Sequence, residues 1–478
     1  MTATVAAIDL GATSGRVVRA EVGPGTLRLD EVARFENRPV RIGDGLHWSV
    51  LALYDEALRG VATASHGAPL ASVAVDSWAV DYGLLRRGSL LGIPYSYRDD
   101  RTARGLELVD AVIAQPELYA RCGLQRMPFT TINQLMVDRE RGLLEVADRL
   151  LMLPDLFGYW MTGRMFTERT NASTTGLLRL DDTWDLDLMA RLGIPASLLP
   201  EVVDPGTRIG PIDAITRAHF GIDGAPDVLA IGSHDTASAV VAVPMEPGGA
   251  YISSGTWSLV GIETPAPIAT AEALDASFTN EGGVDGRTRF LKNVMGLWIL
   301  SESVRTWQAA GDRMGLPELL DAAASVDWPV PVFDPTDAAF YPPGDMPERI
   351  RAWFEERGQR PPRGRAEVVR SILESLAEGY AVTLRDAARI SGQGIERVHV
   401  VGGGSRNALL CQLTADRTGL PVVAGPVEAT AIGSVLVQAR ALGAAPASLE
   451  ELRSLVRATQ TLTTYLPRTG IPQRSDLS

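Results

Sequence analysis

Apolar positions along this chain fall into short β-branched runs and longer helix-spaced stretches. Residues 5–10 read as a buried strand, since the run is too short for a helix and ends at a glycine. Residues 11–15 make a turn, and residues 16–22 return as a second strand. Residues 72–75 predict a strand that ends in Asp76, Ser77 and Trp78. Residues 101–200 carry mostly helical spacing with loops. Residues 228–231 predict a strand, followed by a helix over 236–243. The segment AYISSGTWSLVGIE, 250–263, reads as strand, turn, strand and repeats the layout of VAAIDLGATSGRVVRAEV near the start. That repetition is the trace of an internal duplication, with a boundary near 244–248. Beyond it the pattern predicts helices over roughly 294–325 and 366–391, a strand over 398–401, and a helix from about Asn407 to Thr418. The proline-rich segments 329–347 and 360–364 read as surface loops, and 466–478 as a frayed tail.

Length changes this picture first. A chain of 478 residues exceeds one typical core, so two large domains are expected: 1–245 and 246–465, then the tail. Charge changes it next. With 45 basic and 58 acidic residues, the formal net charge is −13. Such a surface repels nucleic acid and anionic lipid, so neither nucleic acid nor membrane is an expected partner. A phosphate ligand must be attracted locally, through backbone N–H groups and a divalent cation. Cys122 and Cys411 stand apart, at no metal or disulfide spacing, which suits a reducing compartment. No apolar run approaches the ~18 residues of a membrane span. The opening MTATVAAIDL lacks a basic leader region, so a cytoplasmic protein is expected.

Five segments carry candidate chemistry. In DLGATSGR, 9–16, glycines bracket small polar residues, giving a compact turn whose N–H groups can approach phosphate oxygens. Thr13, Ser14 and Arg16 can add side-chain donors, and Asp9 can hold a magnesium water. The plain alternative is a glycine-rich hairpin. In VDSWAVDYG, 75–83, two aspartates flank Trp78: carboxylates accept from sugar hydroxyls, and an indole packs on a sugar's apolar face. The alternative is a core tryptophan with turn-capping acids. In SHDTAS, 233–238, Asp235 can take a proton from an attacking hydroxyl, with His234 orienting the substrate; Ser233 or Asp235 can equally cap a helix. SSGTWS, 253–258, is a second hydroxyl-rich turn. VGGGSRN, 401–407, runs from strand through glycine loop to a helix start, which favours anions. Lys292-Asn293 offers either a substrate contact or a helix cap.

Together these segments resemble the FGGY carbohydrate kinases, and within them the rhamnulokinase branch. The matching stretches are AIDLGATSGRV, VDSWAVDYGLL, PYSYRDDRT, LMLPDLFGYWMTG, ERTNASTTGLL, SHDTASAV, YISSGTWSLVG, TNEGG, LKNVMGLW, HVVGGGSRN and AGPVEATAIGS. The resemblance implies an α/β fold of two actin-like (ribonuclease H-like) domains with a central cleft. It implies transfer of a phosphoryl group from Mg-ATP to the 1-hydroxyl of L-rhamnulose, in L-rhamnose breakdown. Asp235 is then the general base. Trp78, Ala79, Asp81, His234, Asp235, Thr236 and Asn293 contact the sugar. Ala12, Thr13, Ser14, Gly15 and Arg16 line the phosphates, Thr256 with Gly402, Gly403 and Gly404 binds the nucleotide, and Asp9 serves the metal. Two positions depart from the branch: Ala79 stands where a glycine is usual, which bears on sugar choice, and Ser301 stands where a glutamine is usual, so no ATP contact is carried over there. A monomer or homodimer is expected. Kinases of other ketoses (L-fuculose, L-ribulose, D-xylulose) and a non-catalytic actin-like ATPase remain the alternatives.

Overall fold

The alternation in ATVAAIDL builds strand β1 (Ala3–Leu10), buried almost throughout. It turns back antiparallel into β2 (Ser14–Gly23), which pairs in turn with β3 (Thr26–Glu36). On its other side β1 runs parallel to β4 (Ser72–Ser77). With β5 (Arg208–Pro211) and β6 (Asp227–Leu229) the order is β5-β6-β4-β1-β2-β3. A computed structural model describes residues 1–311 and 313–468. The tail expected over 466–478 therefore falls outside the described residues beyond Arg468.

Two compact units divide the chain. The first takes Met1–Pro244, Glu263–Phe290 and Ala429–Thr459; the second takes Met245–Ile262, Leu291–Glu428 and the chain from Gln460 on. The crossing at 244/245 lies at the boundary read from the sequence. Two later segments nevertheless belong with the first unit, because their apolar faces are spent there. Helix Ala429–Ala441 lies against helix Asp235–Val241 so closely that a Cβ on Gly433 would overlap the Ser238 carbonyl, 1.7 Å away. The amide of Gln438, on the same helix, donates to the Ala6 carbonyl (3.0 Å) and accepts from Ser72 Oγ (2.8 Å), tying β1 to β4. Below this sheet the first unit's core gathers Ile8, Leu10, Trp48, Leu53, Phe157 and Met161.

In the second unit, β7 (Gly249–Ser254) turns antiparallel into β8 (Trp257–Thr264), while β9 (Arg397–Val401) lies parallel on the other side of β7. β10 (Val422–Ala424) and β11 (Thr463–Tyr465) extend that edge. Each unit thus contains a hairpin flanked by a parallel strand, the layout the sequence repeat implied. Three expectations need correction. The helix expected over 294–325 is a strand, Thr288–Met295, followed by helices Trp298–Ala309 and Leu316–Ala324, because Gly296 breaks the run and Pro317 starts a new helix. Asn293 accordingly sits in a strand, not at a helix cap. The segment 329–347 is not all surface loop: Phe333 and Phe340 are buried, and Ala338–Phe340 forms a helical turn.

Candidate active site

Three parallel strands of the first unit end side by side, with Asp9 and Asp76 near the ends of two of them and Asp235 beyond the third. Asp9 on β1 pairs in register with Asp76 on β4, and Ser77 bridges to His234 beyond β6. The Ser77 N–H donates to the Ser233 carbonyl at 2.9 Å. DLGATSG, VDSWA and GSHDT, far apart in sequence, thereby meet at the carboxyl edge of one sheet, where open α/β sheets bind ligands. Asp76 is fully buried. Burial pushes its carboxyl well above the ordinary range, the charges of Asp9 and Asp235 push the same way, and Arg16 opposes them. Burial and the two neighbouring acids thus act together to favour its protonated form.

Asp235 opens helix Asp235–Val241 behind His234, and no side chain caps the helix. The capping alternative is thus set aside. Asp235 Oδ1 accepts from Thr236 Oγ1 (3.0 Å) and faces His234 Nε2 (3.5 Å). Oδ2 accepts no hydrogen bond among the described residues, and the side chain keeps 32% of its exposure. Burial raises this carboxyl, His234 lowers it, and Asp9 raises it again. Thr236 is itself buried. Its hydroxyl donates to Asp235 and so helps position the carboxylate. The loop before the acid is fixed by a residue the sequence reading did not single out. Glu168, fully buried, accepts from the Ser233 N–H (3.0 Å) and Oγ (2.8 Å) and from Thr170. Nothing in the isolated ERTNASTT pattern distinguishes this from an ordinary helix cap.

The expected sugar face around Trp78 is also corrected. Trp78 is only 6% exposed and packs on Trp48, with centroids 4.2 Å apart. Asp81 is 1% exposed. Its Oδ2 accepts from Trp48 Nε1 (2.6 Å), Trp78 Nε1 (2.9 Å) and the Tyr97 N–H (3.0 Å), and its Oδ1 from Gln134 Nε2 (2.9 Å). Burial lifts its carboxyl to about 6 against the pull of these donors. Both oxygens are engaged with protein, so Asp81 is a hub for the tryptophans and is unavailable to a sugar hydroxyl. Between the two lies a half-exposed Ala79 and a strained Val80 at φ +68°, a region that costs a β-branched residue energy. The Asp81 N–H donates to the Ala79 carbonyl (2.9 Å), closing a three-residue turn. Thr131 Oγ1 holds the Val80 carbonyl at 2.7 Å. Thr131 and Gln134 sit on helix Thr131–Glu140, fifty residues on, with no motif to mark them.

DLGATSGR is a hairpin turn in its backbone. Gly11 N–H donates to the Ser14 carbonyl (2.9 Å), and Asn37 closes it from β3's end by donating to the Gly11 and Thr13 carbonyls. The turn exposes Thr13 and half-exposes Ala12 and Ser14. Gly15 is different: it pairs with Leu10, and a Cβ there would meet the Phe35 ring at 2.2 Å. Packing against Phe35 therefore requires a glycine here. Arg16 grips Asp9 Oδ2 through Nε (2.9 Å) and a terminal nitrogen (2.6 Å). Among the described residues no group of three or more His, Cys, Asp or Glu side chains could hold a metal.

In the second unit, the ends of β7 and β9 bring SSGTWS against VGGGSRN. Gly402 has φ +79°, and a Cβ there would meet the Ser254 carbonyl at 3.0 Å; on Gly404 it would meet Ser254 Oγ at 2.1 Å. Gly403 alone faces open space. Asn407 then caps helix Ala408–Thr418 by accepting from the Leu410 N–H at 3.0 Å. Thr256, half-buried at the hairpin tip, has its carbonyl held by the Gly296 N–H (3.2 Å). Gly296 packs too tightly against Gly255 and Ser258 to bear a side chain. Asn293 is half-buried on the strand just before.

Residues 86–242 match the N-terminal domain model, and residues 250–442 the C-terminal domain model, of the FGGY family of carbohydrate kinases. The chain belongs to that family and is a sugar kinase, taking a sugar and ATP. Among curated relatives it is 41% identical to a protein named rhamnulokinase from Bacteroides thetaiotaomicron, over 97% of this chain and 95% of the relative. It is 39% identical to a rhamnulokinase from Klebsiella pneumoniae, over 96% and 94%. The fold is shared with a ligand-bound xylulose kinase from Lactobacillus acidophilus (17% identity, TM-score 0.77, 97% and 94% covered) and with a glycerol kinase from Plasmodium falciparum solved with ADP (13%, TM-score 0.76, 97% and 94%).

Proposed function

We propose that this chain transfers the γ-phosphoryl group of ATP to the 1-hydroxyl of L-rhamnulose, with Asp235 as general base. The named relatives, near 40% identity over almost the whole chain, support that substrate. The observation that carries the reading is the asymmetry of the Asp235 carboxylate. Oδ1 accepts from Thr236 and faces His234, while Oδ2 accepts no hydrogen bond among the described residues, so one oxygen is positioned and the other is left to accept a proton. The raised carboxyl brings its basicity closer to neutral pH, as general-base work favours.

In the first unit, His234 and the half-exposed Ala79 are sugar contacts in this reading, and the turn at Ala12, Thr13 and Ser14 supplies backbone and hydroxyl donors for phosphate. In the second unit, Asn293 is a sugar contact in this reading, and Thr256 and the open Gly403 are nucleotide contacts. Magnesium commonly takes one or two carboxylates, waters and substrate phosphates. Asp9 fits that donor set, oriented by its Arg16 fork, and the metal would neutralise phosphate charge. Phosphoryl transfer asks the protein chiefly for positioning and charge neutralisation. A cytoplasmic enzyme is part of this reading: among the described residues no helix is long and apolar enough to cross a membrane.

The test is ADP release with Mg-ATP across L-rhamnulose, L-fuculose, L-ribulose, D-xylulose and glycerol, repeated with Asp235→Asn. Preference for L-rhamnulose, with turnover in the variant down by at least ~10²-fold and sugar binding retained, is the expected result. Near-normal turnover in Asp235→Asn refutes the base assignment. Preference for another ketose refutes the substrate.

A further inference from the structure

His234 carries a proton on only one ring nitrogen when neutral, and the neighbours of the other nitrogen decide which. Its Nδ1 faces two groups of the first unit. Arg289, fully buried on strand Thr288–Met295, brings a terminal nitrogen to 3.1 Å in hydrogen-bonding alignment. Glu281, buried on strand Thr279–Gly282, brings Oε2 to 3.2 Å, but that oxygen makes no aligned hydrogen bond. Glu281 Oε2 also lies 3.1 Å from Arg289. Arginine always donates and never accepts. An aligned guanidinium at Nδ1 therefore requires a lone pair there, and the proton must sit on Nε2, the nitrogen facing Asp235 Oδ1 at 3.5 Å.

Burial pushes Glu281 up, yet the Arg289 charge and His234 outweigh it and hold the carboxyl below its ordinary value. Glu281 is thus an anion that keeps the buried guanidinium in place; Arg289 also donates to the Gly282 carbonyl at 2.9 Å. We propose that Arg289, anchored by Glu281, is a positioning residue that fixes His234 in the Nε2–H form, so that His234 presents a donor to Asp235 Oδ1 and leaves Oδ2 to the substrate. Without Arg289, Glu281 becomes the nearest partner of Nδ1 and draws the proton there. A lone pair on Nε2 then faces the carboxylate and repels it. The kinetic part of this inference rests on Asp235 being the base; the tautomer does not.

Two readouts keep the two apart. The chain has five histidines, so ring-nitrogen NMR of the full-length protein labelled with ¹⁵N-histidine, with His234 assigned from the signal lost in His234→Gln, reads the tautomer without substrate. The expected wild-type spectrum shows a protonated Nε2 and a bare Nδ1. In Arg289→Met the proton moves to Nδ1, while Arg289→Lys, which keeps a cationic donor, retains the Nε2–H form at least in part. Sugar-stimulated ADP release should show kcat reduced by about 10–100-fold in Arg289→Met, the scale known for partners that orient metal-bound histidines, with KM for ATP unchanged and kcat partly restored in Arg289→Lys. A wild-type His234 protonated on Nδ1 overturns the proposal, and this needs no variant to fold. An unchanged tautomer in a folded Arg289→Met overturns it too. Absence of any sugar-stimulated turnover alongside the expected spectra leaves the tautomer assignment standing and overturns the kinase reading instead.

Discussion

Replacing Asp81 separates a structural acid from a sugar-binding one. The carboxylate accepts four hydrogen bonds, from Trp48, Trp78, Tyr97 and Gln134, while only 1% exposed. Asp81→Ala strands all four donors. At ~1–3 kcal/mol for each unsatisfied buried group, the loss is at least about 4 kcal/mol, a large part of a typical domain's 5–15 kcal/mol. Asp81→Asn behaves differently. The asparagine carbonyl can replace Oδ2, and its amide then meets the Gln134 amide, donor against donor, at a cost of ~1–3 kcal/mol. Against this, the wild-type carboxyl rises from 3.8 to about 6, so keeping it ionised at neutral pH costs about 3 kcal/mol, which the amide avoids. Asp81→Asn should therefore lie within about 2 kcal/mol of wild type at pH 7. The sign fixes the pH dependence. With the folded value above the unfolded one, the folded state binds more protons between pH 4 and 6, so wild-type stability falls as pH rises through that window. Relative to Asp81→Asn, the wild type should lose more than ~1 kcal/mol between pH 5 and pH 8. Denaturant titrations followed by tryptophan fluorescence, run as a difference between the two proteins, read this directly and cancel other buried acids. A difference that stays flat from pH 5 to pH 8 refutes the raised carboxyl. A large rise in sugar KM for Asp81→Asn at unchanged stability would restore Asp81 as a substrate ligand.

The glycine loop gives an internally controlled series: Gly402→Ala at φ +79° and Gly404→Ala against Ser254 should each lower thermal stability, the first by about 1–2 kcal/mol of left-handed strain. Gly403→Ala, with open space before it, should leave stability unchanged and raise the KM for ATP if nucleotide approaches there; unchanged KM moves the nucleotide elsewhere. Ala79→Gly should lower the KM for L-rhamnulose if the methyl crowds the sugar, and an equal or higher KM shows a pocket shaped around the alanine.

Much of the local structure was legible because it depends on neighbours in sequence. The β-branched runs before Asp9 and after Gly248, the helix start near Asn407, and the repeated hairpin layout follow from periodicity and turn chemistry. Asp235, His234 and the glycine loop were legible as candidates, since acids and glycines at strand ends are rare enough to notice. Their roles were not settled there, because a cap, a core residue and a ligand contact use the same residue types. Trp78, Asp81 and Thr236 read as sugar contacts from sequence and turn out to be covered. Whether an indole or a carboxylate is exposed depends on Trp48, Gln134 and Tyr97, which arrive from distant segments. That Gly15 is also required by packing against the Phe35 ring was not legible, because Phe35 arrives from the neighbouring strand.

By itself, then, the sequence determined the strands, the turns and the identity of the chemistry-bearing residues, all set by interactions within a few positions. Only the tertiary structure decided which acids share an edge, which are desolvated, and which keep an oxygen without a protein partner. Those outcomes depend on burial and on partners such as Arg289, Glu168 and Gln438, which lie 54, 67 and 203 positions from Asp235 in the chain. The register of β1 with β4 places Asp9 beside Asp76, and desolvation there is a property of the packed sheet that no stretch of chain carries alone.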